Sequence, residues 1–332
     1  MQARAMEQSA APYSFADFHV HVGERIGGYQ LRDGFAELAK VPGLMAIGAF
    51  VTEESGDPLG TKLQRMRQDS IALIQREASA LQIFWHLTPV QTGFEEVLPL
   101  LSQDIDLKFY TTYKNVGLYR SYEEIERWMT FLKDRKVRML VHCEDDGIIA
   151  EYAEKHPFRH PHDHSLRRPE LAENIAVERI LDLAVKHAYP VHIVHVSSPQ
   201  SALLIREAKQ TNPLVTCETA PHYLLYNESR LTGENAHRWI CSPPFRSDKS
   251  RGELVELMQD GVFDLIASDH CPFSNDDKDR YKDTPEKVPC GIPGVGTLYG
   301  SMFEHFVKTG KISQEQLTRM SLTTPVQLMG SN

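Results

Sequence analysis

Short apolar runs alternate along the chain with longer stretches of amphipathic, helical spacing. The runs Ala16–Val22, Leu44–Val51, Leu81–Val90, Ile105–Tyr110, Val137–Cys143, Pro190–Val196, Leu214–Thr219 and Phe263–Ser268 are mostly near-continuous in apolar residues. That pattern predicts parallel strands covered on both faces, because a half-exposed strand would alternate. Between them, Thr61–Ala80, Ser121–Lys136, Pro169–Ala188, Pro199–Thr211 and Ser250–Gly261 read as helices. Eight strands in 332 residues, roughly 40 residues per unit, match the scale of a TIM-type (β/α)8 barrel with insertions. An open doubly wound sheet is the competing architecture, but the Gly-rich dinucleotide fingerprint is absent.

No Pro/Gly/Ser-rich linker cuts the chain and no internal repeat is visible. The expected organisation is an N-terminal extension over residues 1–15 and one α/β barrel over 16–332. Two polar segments, His156–Arg168 and Ser274–Pro293, read as long loops. In a barrel, long loops after strands sit on the catalytic face.

Composition narrows the function classes. At 41% hydrophobic and 24% charged residues the chain has ordinary globular usage, which argues against disorder or a fibrous repeat. The net charge is −9, from 36 Lys+Arg against 45 Asp+Glu, and the longest basic cluster is Arg167-Arg168, so no nucleic-acid partner is expected. No apolar run approaches the ~20 residues needed to span a bilayer, and Met1–Ser14 lacks the apolar core of a signal peptide. No membrane partner is therefore expected. Five cysteines, at 143, 217, 241, 271 and 290, show no CxxC spacing and read as free thiols of a reducing compartment, the cytoplasm. The unusual feature is 15 histidines, several beside short carboxylates, and histidine is the commonest metal ligand.

The histidines fall in a pattern. His19 and His21 end the first apolar run, and strand residues i and i+2 share a face. His142, His195 and Asp269 close three later runs, at the strand end where barrels carry catalysis. His192 lies three residues before His195, so strand parity assigns it to the opposite face and a structural role. Lys108 sits inside the run Ile105–Tyr110, where a charged lysine is costly to bury and must be neutralised, paired or modified. The tract His156–His164 invites a metal-binding reading; a solvated or substrate-covering loop is the preferred one.

These residues, in this order and strand spacing, resemble the amidohydrolase superfamily, and within it the cyclic amidohydrolases: dihydropyrimidinase (hydantoinase), dihydroorotase and allantoinase. Supporting motifs are Val141-His142-Cys143-Glu144, Arg168-Pro169-Glu170, Glu218-Thr219-Ala220-Pro221-His222-Tyr223, Ser268-Asp269-His270-Cys271-Pro272 and Gly291-Ile292-Pro293-Gly294-Val295. The resemblance implies a binuclear centre of two divalent metal ions, zinc in the usual case. His19, His21 and Asp269 would hold one ion and His142 and His195 the other. Lys108, carboxylated by CO2, would bridge them together with a hydroxide. Asp269 would serve as base, and Tyr113, five residues past Lys108, would donate to the developing oxyanion. Ser242 and Cys290 would hold the ring amide through their backbones. Homo-oligomer formation follows by the same analogy. The chain is too short for the β-sandwich domain usual in relatives, so a bare barrel is expected.

Within the group, Lys108-Phe109-Tyr110-Thr111-Thr112-Tyr113-Lys114-Asn115 is similar to the dihydropyrimidinase segment. At the three positions where dihydroorotases carry the arginine, asparagine and histidine that meet the substrate carboxylate, this chain has Gly23, Ser242 and Phe273, which disfavours dihydroorotate; Arg25 is a possible substitute. The expected activity is hydrolysis of a dihydropyrimidine, hydantoin or similar ring. Dihydroorotase, allantoinase and a non-catalytic scaffold are the alternatives.

Overall fold

The structure is a computed structural model and describes residues 13–135 and 137–330. Residues 1–12, most of the expected N-terminal extension, lie outside the described residues. Every apolar run contains a strand: β1 (Phe15–Val20), β2 (Leu44–Thr52), β3 (Gln82–Thr88), β4 (Ile105–Tyr110), β5 (Met139–His142), β6 (Val191–Ile193), β7 (Thr216–Thr219) and β8 (Leu265–Ile266). Each pairs in parallel with the next in sequence. Beyond β8 the chain meets β1 through a parallel bridge between Val20 and His270. His21 N donates to His270 O at 2.8 Å, and His270 N donates to His19 O at 3.2 Å. The ring thus closes as a (β/α)8 barrel rather than opening into a doubly wound sheet.

The main crossover helices are α1 (Leu59–Arg76), α2 (Tyr122–Leu132), α3 (Glu170–His187), α4 (Pro199–Thr211) and α5 (Asp248–Gln259). Their limits follow local chemistry. Ser121 caps α2 by accepting from Glu124 N, while Glu124 Oε2 accepts from Ser121 N at 3.0 Å. Two ends come sooner than the amphipathic pattern alone suggests, because Ala78 and Ala188 adopt left-handed backbones, with φ of 50° and 47°. Among the described residues no helix is long and apolar enough to cross a membrane.

Two expectations are corrected. The segments His156–Arg168 and Ser274–Pro293 are not simple loops: they hold the helices Asp163–Arg167 and Asn275–Asp279 and a helical turn at Pro285–Lys287. Ser274 caps the second helix at Asp277 N, and buried Lys278 ties it down by donating to Arg238 O and Ile240 O. A short antiparallel hairpin, Arg25–Ile26 with Tyr29–Gln30, rises between β1 and β2.

The inside of the ring is filled. Ala16, Phe18, Ala46, Phe50, Leu140, Val194, Leu265 and Ala267 form one buried cluster with Met329 of the closing helix Thr324–Met329. Arg138 reaches Asp106 at 3.2 Å and Leu328 O at 2.9 Å, binding that helix to the strand starts. At mid-height His86 Nε2 meets Phe18 O at 2.9 Å, a contact made over the bare Cα of Gly48.

A Cβ at Gly48 would collide with both His86 Nε2 and Phe18 O. Gly48→Ala is therefore expected to destabilise the barrel by about 1–3 kcal/mol, the usual range for overpacking. Denaturant unfolding measures this; an unchanged midpoint would refute the packing argument.

Candidate metal centre

β1 is not a regular strand. Asp17 pairs with Ile47 and Val20 with Ala49, so three steps on β1 oppose two on β2. This bulge re-aims side chains, so that His19 and His21 join Phe18 in facing the barrel axis. Asp17 holds the bulge: its Oδ1 accepts from His19 N at 3.2 Å and Ser268 N at 3.0 Å. The second bond ties β1 to the segment carrying Asp269.

Three candidate ligands meet at this seam. The ligand atoms of His19, His21 and Asp269 lie within 4.8 Å of one another, and His19 Nε2 is 3.2 Å from Asp269 Oδ1. His195 adjoins them, its ring 5.3 Å from that of His19 and 4.6 Å from that of His142. Lys108 is buried in β4, its Nζ 5.2 Å from the centre of the Phe50 ring, and its charge acts on His19, His142, His195 and Asp269. The structure thus gathers all six expected ligand residues from strand ends 250 positions apart.

The side chains behind them were not foreseen. His19 Nδ1 is 2.5 Å from Glu218 Oε1, His21 Nδ1 is 3.2 Å from Glu24 Oε1, and His142 Nε2 is 2.7 Å from Glu144 Oε2. A carboxylate on one ring nitrogen draws the proton there and leaves the other nitrogen's lone pair for a cation. Glu24 is held by Thr52 N and the Lys62 ammonium, and Glu144 by Arg168. Sequence signals existed: Glu144 follows His142 by two residues and Glu24 follows His21 by three, while Glu218 opens a motif already noted. His192 requires correction. It does not turn away from the barrel; its Nε2 meets Glu218 Oε2 at 3.1 Å and its ring lies 5.0 Å from Phe18. Its structural role stands, since it buttresses the carboxylate behind His19.

Lys108 is 1% exposed, and among the described residues its Nζ has no hydrogen-bond partner. Burial pulls its ammonium down to about 7. Burial likewise pushes the Asp269 carboxyl well above the ordinary range and drives His19 and His195 well below theirs. Neutral imidazoles, a near-neutral lysine with an orphaned nitrogen and an inward carboxylate form a donor set that fits divalent cations and lacks the thiolates of a structural zinc site.

The residues expected on the substrate side lie beside this set. The Tyr113 ring is 5.2 Å from that of His142, and the Ser242 side chain reaches its hydroxyl. His164, from the His-rich tract, is buried and bonds Cys241 O at 2.9 Å and Ser242 Oγ at 3.1 Å. His164 is thus an anchoring contact for Ser242 within a tract whose other histidines are not buried. Cys290 is exposed at the same mouth and acts electrostatically on Tyr113. Tyr113, His195 and Asp269 have φ of 72°, 38° and 50°. They make up half of the six non-glycine positive-φ residues described, and such strain collects at functional sites.

No family model matches the chain. Among curated proteins it is similar to a dihydroorotase of Staphylococcus aureus, 30% identical over 314 residues, covering 91% of this chain and 70% of that protein. A dihydroorotase of Staphylococcus epidermidis is 27% identical over 328 residues, with 96% and 73% covered. Among solved structures the fold is similar to dihydropyrimidinase from Brevibacillus agri, with a TM-score of 0.82, 24% identity, and 96% of this chain and 70% of that one covered. The L-hydantoinase of Arthrobacter aurescens gives a TM-score of 0.78 at 22% identity, with 96% and 71% covered.

Two substitutions test the centre. Lys108→Ala is expected to bring bound divalent metal below one equivalent per chain, read by elemental analysis after purification without chelator. Glu218→Gln should keep the fold but weaken metal binding by about 10–100-fold. Wild-type affinity in Glu218→Gln would mean that the carboxylate does not orient His19.

Proposed function

Because the chain belongs to the cyclic amidohydrolase group of the amidohydrolase superfamily, we propose that it hydrolyses an uncharged cyclic amide of the dihydropyrimidine or hydantoin type. The observation that carries this reading is the convergence of six ligand-type side chains beside the Tyr113–Ser242 pair. His19, His21 and Asp269 would hold one divalent ion, and His142 and His195 a second, with zinc the expected metal. Lys108 would join both: its amine forms an N–C bond to CO2, loses a proton and becomes an anionic oxygen ligand. The orphaned Nζ supports this, since carboxylation relieves a buried nitrogen that has no partner among the described residues. When bound, two such ions lower the pKa of a shared water and polarise the scissile carbonyl.

The chain's own groups divide the remaining work. An Asp269 carboxylate oxygen takes the proton from the attacking water and returns it to the departing ring nitrogen. The Tyr113 hydroxyl donates to the carbonyl oxygen as negative charge grows there. Ser242 and Cys290 hold the ring amide through backbone groups, and His164 steadies Ser242 from below.

A second reading, hydrolysis of dihydroorotate, is favoured by the names of the curated relatives. That substrate carries a carboxylate, and the buried cations near the mouth are already engaged. Arg168 binds Glu144, Arg246 binds Glu173, and Lys278 donates to two carbonyls. Arg25 is exposed on the hairpin and donates to Gly28 O at 2.9 Å. A buried carboxylate without a charge partner loses several kcal/mol, so the neutral ring fits better.

Metal-loaded protein should open 5,6-dihydrouracil or hydantoin, followed by loss of ring absorbance, with a kcat/KM at least about 100-fold above that for dihydroorotate. Turnover of dihydroorotate alone, with a KM raised by Arg25→Ala, would establish the second reading. No turnover of any ring, together with less than one equivalent of metal not restored by metal and bicarbonate, would identify a scaffold homologue.

A further inference from the structure

One enclosed cation touches both halves of the site. Arg168 lies between the helix Asp163–Arg167 and α3, and its side chain is 11% exposed. Its guanidinium grips Glu144, with Nε 3.0 Å from Oε1 and Nη2 2.5 Å from Oε2. Glu144 is the carboxylate that meets His142 Nε2 at 2.7 Å. The same guanidinium lies 5.1 Å from the centre of the Tyr113 ring, a cation–π distance. Arg168 is itself fixed: its carbonyl accepts from Arg246 Nη1 at 2.6 Å, and Arg246 is held by Glu173 and Ser197.

Each end of this chain of contacts needs restraint. Tyr113 sits in a left-handed backbone, a conformation that persists only where the surroundings over-determine it. His142 presents its free nitrogen correctly only while Glu144 holds the opposite one. Only a flat guanidinium can fork onto a carboxylate and stack on a ring at once; an ammonium is a point charge and cannot.

We propose that Arg168 is a positioning residue that seats the Tyr113 phenol and the His142 imidazole together, so that oxyanion donor and metal ligand are aligned by one side chain. This rests on the reading of Tyr113 as the oxyanion donor. It also accounts for a buried cation beside the site, since its charge is taken up by Glu144 and its face by the Tyr113 ring.

The test uses the metal-loaded full chain and four forms: wild type, Arg168→Lys, Tyr113→Phe and the double variant. Arg168→Lys is expected to melt near wild type, to lose kcat about 10–100-fold and to release metal to a chelator about ten times faster or more. Tyr113→Phe should lose kcat with metal release unchanged. In the Tyr113→Phe background, Arg168→Lys should cost several-fold less in kcat than in the wild type, since coupled residues are non-additive, while its faster metal release persists. Additive losses, or unchanged metal release in Arg168→Lys, would overturn the proposal while leaving Tyr113's role intact. Full activity of Tyr113→Phe would instead remove the oxyanion reading and this proposal with it. Should Arg168→Lys fail to fold, Arg168→Met with Glu144→Gln removes both charges together; it is expected to fold, with the same faster metal release, and wild-type release in it overturns the proposal.

Discussion

Closure of the strand ring is the constraint on which the rest of the molecule depends. β8 and β1 do not pair along their length; the seam is made by the segment beyond β8, through the Val20–His270 bridge and Asp17 accepting from Ser268. His19, His21 and Asp269 flank those few bonds. Folding the barrel and assembling half of the candidate centre are therefore one event. A carboxylate such as Asp17, buried with burial raising its pKa to about 7, is tolerated because it satisfies two backbone donors at the point where the ring shuts.

Much of this was legible in the linear chain, for a physical reason. Parallel strands buried on both sides must be apolar, so a histidine, lysine or aspartate at such a run's end stands out against its neighbours. His142, His195, Lys108 and Asp269 were found that way. Strand ends were less readable. β6 pairs only over Val191–Ile193, and the backbone then turns through a left-handed His195. Parity counted backwards from His195 therefore misassigns His192.

The supporting carboxylates were the least accessible to sequence reasoning. Glu218 lies 199 residues from His19, and their contact exists only because ring closure brings β7 within two strands of β1. Glu24 shows the same dependence from outside the ring: Lys62 on α1 crosses to it and to Thr52 O, so a helix on the exterior holds a carboxylate of the interior. Short-range motifs point to the candidate ligands, while the geometry behind each of them belongs to the closed fold.

The filled barrel axis has a consequence for traffic. Phe18, Phe50 and Leu140 plug the centre, and Met329 with Leu328 stoppers the far end. Among the described residues the axis is closed on that side, so the centre is approached from the face that carries the hairpin at Arg25–Gln30 and the segments of His164 and Cys290. Whatever enters must back out the way it came, and a second molecule must wait until the first has left. Access on that face, rather than any channel through the protein, would set the order in which reactant and product pass.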